Sequence, residues 1–142
     1  MSTTLATIVS LVFVALAVWH FRMALRPTAA KSATVPSAGG KPLFAPSVGA
    51  TVAVGLVLLL FAGLVAATAG LVTVGIPVRV LSWLCYALAA GLLARAVGEF
   101  RYLGFFKRVR DSRFARLDTL LYSPLCVLLA VGVAIVGLQN GI

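Results

Sequence analysis

The chain of 142 residues is one domain's worth, yet 62% of it is hydrophobic and only 11% is charged, well off the balance of a soluble globular domain. Twelve Lys and Arg against three acids give a net charge of +9. Nucleic-acid binding would want that basic excess on one face of a soluble fold, and a mean hydropathy of +1.12 excludes such a fold.

The first apolar run covers residues 5–19 and extends to 25. Its charges, Arg22 and Arg26, follow it, whereas a cleaved leader carries them in front; it therefore reads as a retained helix. Residues 26–47 form a connection with Pro27, Pro36, Pro42, Pro46 and the Gly39–Gly40 pair, a density of breakers expected to exclude regular structure. A second run, 48–71, reaches spanning length. The short link around "VTVGIPVR" makes the next helix its antiparallel neighbour. That third helix, 80–98, spans if Arg95 extends its guanidinium to the interface. Residues 99–116 form the second long connection, and the fourth helix covers 117–138. The expected fold is all-α: an integral membrane bundle of four transmembrane helices in two hairpins, residues 1–142 forming one domain.

Charge sets the expected orientation. Arg22, Arg26, Lys31 and Lys41 follow the first helix, and Arg95, Arg101, Lys107, Arg108, Arg110, Arg113 and Arg116 follow the third. The opposite side has Arg79 alone. Eleven basic residues against one place both long connections in the cytoplasm and both termini outside. "GEFRYLGFFKRVRDSRFARLD" (98–118) holds all three acids and six basic residues of the chain, with Phe and Tyr between them. Lys107, Arg108, Arg110, Arg113 and Arg116 are the candidates for contact with lipid headgroups, because basic residues at a cytoplasmic surface attract anionic lipid.

Helices associate in lipid through small residues that let backbones approach. Ala87, Gly91, Ala94 and Gly98 make the best such face, on the third helix; Ala62, Ala66 and Gly70 on the second and Ala130 and Ala134 on the fourth are weaker. Ionisable groups at membrane depth pair with one another or mark a site. His20, Arg95, Glu99, Arg101, Asp118, Tyr122 and Ser123 all fall in the cytoplasmic half and form a candidate polar pocket. Asp118 suits the first turn of the fourth helix, with Arg95 or Arg101 as its ionic partner. Pro124 lacks an N–H and frees the carbonyl of Leu120, which suggests a broken helix.

Other chemistries lack their residues. One histidine cannot supply two haem axial ligands, no cluster has metal-ligand spacing, and no cofactor is expected. There is no C-x-x-C, G-x-S-x-G or phosphate-binding glycine loop. Small multidrug exporters place a carboxylate deep in the first helix, and residues 5–19 contain none.

Residues 95–126, "RAVGEFRYLGFFKRVRDSRFARLDTLLYSPLC", closely resemble the hallmark of a bacterial four-span membrane family catalogued as a domain of unknown function, numbered 3995. Its pattern G-[DE]-F-R-x-x-G-F-F-K is met by Gly98, Glu99, Phe100, Arg101, Gly104, Phe105, Phe106 and Lys107. F-A-x-x-D-T-x-x-Y-S-P-L is met by Phe114, Ala115, Asp118, Thr119, Tyr122, Ser123, Pro124 and Leu125. "GGKPLFAPS" (39–47) is similar to the family's G-[RK]-P-L-F-x-P connection. "HFRMAL" (20–25) keeps His20, Ala24 and Leu25 of an H-V-Y-W-A-L segment. The resemblance implies a fold and a location, and brings no activity. The expected protein is a non-enzymatic accessory of the bacterial cytoplasmic membrane. Its partners are the lipid bilayer and anionic phospholipids, with a homo-oligomer or larger membrane complex open, and no nucleic acid. The rival is a small transporter or lipid-active enzyme using the polar pocket.

Overall fold

The computed structural model describes residues 2–25, 37–38, 41–42, 47–98, 104, 106, 108, 110 and 116–141. Helices α1 (Ser2–Leu25), α2 (Val48–Thr68), α3 (Val78–Val97) and α4 (Ser123–Gly141) account for nearly all of them, with a π-helical turn at Asp118–Tyr122 leading into α4. All four, α4 taken with its π turn, are long and apolar enough to cross a membrane.

The exterior fits that environment. Leu60, Leu120 and Leu128 are each about seven-tenths exposed or more, and such a surface is tolerated where the surrounding medium is as apolar as leucine. Trp19 and Trp83 also face outward, one towards the end of α1 and the other near the start of α3, as interfacial anchors do.

Packing inside is narrow. α1 contributes Ala6, Val9, Phe13 and Ala17 at helical spacing, and packs most extensively on α2, while α3 packs most extensively on α4. α1 and α4 also touch, as do α2 and α3. The Phe13 and Phe61 rings meet edge to face at 5.7 Å between α1 and α2. Several polar side chains in the spans find carbonyls or one another: Ser10 Oγ donates to Ala62 O across α1 and α2 at 3.1 Å. Thr68 Oγ1 lies 3.3 Å from Cys85 Sγ across α2 and α3. Cys85 and Cys126 are both free thiols.

The small-residue face expected on α3 does not make these contacts. Ala87, Gly91 and Ala94 are exposed, and a Cβ added at Gly91 would meet nothing within 4 Å. The face that enters the bundle is Ser82, Cys85, Ala89 and Ala96. Its closest approach is dictated by the partner: a Cβ at Gly137 of α4 would stand 2.9 Å from the Tyr86 ring and 3.3 Å from the Ser82 carbonyl. At Gly132 it would stand 2.8 Å from Val9 of α1. Glycines of α4 thus set the separation on two sides. Gly137→Val is expected to cost about 1–3 kcal/mol by overpacking, read as a lower thermal midpoint in detergent, whereas Gly91→Val should leave it unchanged.

Helix ends follow from local chemistry. Ser47 Oγ accepts from Ala50 N at 3.0 Å as the N-cap of α2. α2 stops at Thr68, earlier than the apolar run suggests, because Gly70 takes a φ of +76°. The Leu71 N–H then reaches Ala66 O and the Gly70 N–H reaches Ala67 O, a Schellman closure. α3 starts after Pro77 and ends at Gly98, whose N–H donates to Ala94 O at 2.8 Å.

Two expectations about irregular regions are corrected. The connection before α2 contains regular structure: β1 (Ser37–Ala38) pairs antiparallel with β2 (Lys41–Pro42), Ala38 opposite Lys41. Pro124 does not break the fourth helix either. The helix widens into the π turn, in which the Ser123 N–H donates to Asp118 O, five residues back. Widening relieves the clash between a proline ring and the carbonyl four residues earlier.

Candidate functional site

Asp118 is the only acidic residue among those the structure describes, and its side chain is fully buried. Burying a carboxylate is costly unless it is paired and hydrogen-bonded, and here three donors converge on it. Arg95 Nη2 of α3 donates to Oδ1 at 2.8 Å. The backbone N–H of Gly104, from the α3–α4 connection, donates to Oδ2 at 2.6 Å. Ser123 Oγ donates to Oδ1 at 3.1 Å. One carboxylate therefore holds the end of α3, the connection and the start of α4 together.

Local structure makes each contact possible. Residues five apart do not face each other on an α-helix, but a π turn closes its ring between i and i+5. The turn accordingly brings Ser123 under Asp118 by main chain and side chain at once. Gly104 is buried with φ at +82°, a conformation side chains other than glycine seldom take. It also lies flat on the end of α3: a Cβ there would overlap the Val97 carbonyl group and stand 2.6 Å from Ala96 O. Only glycine brings its N–H to the carboxylate from that position.

The other expected pocket residues distribute unevenly. Arg95, Asp118 and Ser123 come together, and Arg95 is one ionic partner of Asp118. Tyr122 is half-buried beside them on the same turn. Cys126, one turn further, lies within electrostatic reach of both Arg95 and Asp118. His20 turns back on its own helix, Nδ1 donating to Leu16 O at 2.7 Å. Glu99 and Arg101 lie outside the described residues. Of the headgroup candidates, Arg108, Arg110 and Arg116 are exposed, as is Phe106 between them and α3; Lys107 and Arg113 lie outside the described residues. Gly104 was not expected at the site, since a backbone donor has no side-chain signature. Its signal was a lone glycine in the aromatic–basic stretch.

Chemically this arrangement is a clasp. Its carboxylate accepts from a cation, an amide and a hydroxyl, and is shielded from solvent. Among the described residues no three of His, Cys, Asp or Glu gather as a metal site would require.

A family model described as Protein of unknown function (DUF3995) matches residues 13–133, a span that includes Arg95, Gly104, Asp118 and Ser123. No curated protein and no solved structure matches the chain.

Proposed function

The chain belongs to the family described as Protein of unknown function (DUF3995), and from that premise we propose a non-enzymatic, multi-pass accessory protein of the bacterial cytoplasmic membrane. Its two helical hairpins, α1–α2 and α3–α4, stand with both termini outside. The connection between α3 and α4 faces the cytoplasm and contacts anionic headgroups through its basic and aromatic residues.

The observation that carries this reading is the state of Asp118. Both oxygens of Asp118 are occupied and the side chain is fully buried, as in a carboxylate paired between helices. Such a group ties helices. That end also carries exposed basic residues, Arg108, Arg110 and Arg116, with exposed Phe106 among them in the sequence. Each basic residue at an anionic surface contributes on the order of 1 kcal/mol, and aromatic rings favour the same level.

The test is the lipid that accompanies the protein. Replacing Arg108, Arg110, Arg113 and Arg116 together by Gln should remove the enrichment of acidic over zwitterionic phospholipid in protein extracted with mild detergent. Unchanged enrichment would leave these residues with a purely topological role.

A further inference from the structure

The guanidinium of Arg95 is only half used. Nη2 is held by Asp118 at 2.8 Å, but Nη1 is buried and has no hydrogen-bond partner among the described residues. A buried charged donor left unpaired is costly, and native structures rarely retain one without a purpose. The guanidinium is rigid and planar, so fixing one amino group fixes the direction of the other. Asp118 thus aims Nη1 while binding Nη2.

The spare capacity defines its complement. Asp118 is saturated by Arg95, Gly104 and Ser123, so no cation is called for. A positively charged N–H calls for an oxygen that carries negative charge, and a guanidinium is best matched by phosphate or carboxylate oxygens. The setting selects phosphate. Arg95 stands in the last turn of α3, level with the headgroups in the orientation proposed above. Three-tenths of its side chain is exposed, so Arg95 lies at the edge of the bundle and not in its centre.

We propose that Arg95 is a binding point for one phosphate oxygen, its guanidinium positioned by Asp118. This deepens the headgroup-binding reading and rests on its orientation of α3. It differs by assigning one saturable position, distinct from the diffuse attraction of the exposed arginines. The phosphate belongs either to a phospholipid headgroup or to a free phosphate ion.

The full-length protein in an uncharged detergent, at high salt that screens exposed charges, is titrated with phosphatidylglycerol, phosphatidylcholine or inorganic phosphate. Thermal protection and lipid retained in native mass spectra are followed. Wild-type protein should show saturable protection by a phosphate-bearing ligand. Protection by phosphatidylglycerol alone identifies a lipid, and equal protection by inorganic phosphate identifies the free ion. Arg95→Lys can keep the ion pair with Asp118 but offers no second fixed donor, and should weaken that binding on the order of tenfold. Arg95→Gln combined with Asp118→Asn removes both charges together and should abolish it in folded protein. Wild-type binding by these two variants overturns the proposal, as does the absence of saturable protection from every ligand. Failure of the broader reading looks different: the loop substitutions then leave low-salt lipid enrichment intact, whatever Arg95 does.

Discussion

Asp118→Ala is expected to lower the stability of the detergent-solubilised bundle by about 3 kcal/mol, with helix content retained. The substitution withdraws the acceptor from Arg95, from the buried Gly104 N–H and from Ser123 Oγ at once. Arg95 recovers part of its loss because three-tenths of its side chain is already exposed; the Gly104 amide, being buried, recovers little. Asp118→Asn should fall between, about 1–2 kcal/mol below wild type. Its amide oxygen can still serve Arg95 and Ser123, but its NH2 then confronts the Gly104 N–H, donor against donor. The expected order of thermal midpoints is wild type, Asn, Ala. An Asn variant as stable as wild type that loses a bound ligand or cellular phenotype would move Asp118 from clasp to working site.

Gly104→Ala is expected to cost about as much, near 3 kcal/mol, through a different cause. The backbone at φ +82° is strained for alanine, and the new Cβ would overlap the Val97 carbonyl group, which is main chain and cannot rotate aside. Moving away breaks the N–H bond to Asp118. Gly70→Ala separates these terms. Gly70 has a similar φ of +76°, but its added Cβ would meet nothing within 4 Å, so only the conformational cost of about 1 kcal/mol should appear. Equal losses in the two variants would remove the contact with α3 from the explanation.

The spans could be read from the sequence because the signal is long and additive: roughly 20 apolar residues in a row leave few alternatives. An ion pair of Asp118 with Arg95 or Arg101 was legible for a related reason. A chain with so few acids offers its buried cations few partners. The packing face of α3 was not legible. In an alanine-rich helix several faces carry small residues at spacing four, and what chooses among them is the partner. Gly132 and Gly137 of α4 admit Val9 and the Ser82–Tyr86 turn, so the face with Ser82 and Cys85 goes inward and Gly91 outward. The π turn was hidden as well. Pro124 announced a disturbance, but whether the helix breaks or widens depends on what anchors its first turn, and here Asp118 binds Ser123 twice. Gly104 contributes through its main chain, which residue types describe poorly.

Arg95 and Asp118 act as one structural unit joining α3 to α4, and a double-mutant cycle measures their coupling. Arg95→Gln, Asp118→Asn and the double variant are unfolded reversibly in mixed micelles, followed by loss of helix signal. The sum of the two single losses should exceed the loss in the double variant by about 2 kcal/mol, since each single change strands the other charge. Strictly additive losses, with coupling indistinguishable from zero, would contradict it.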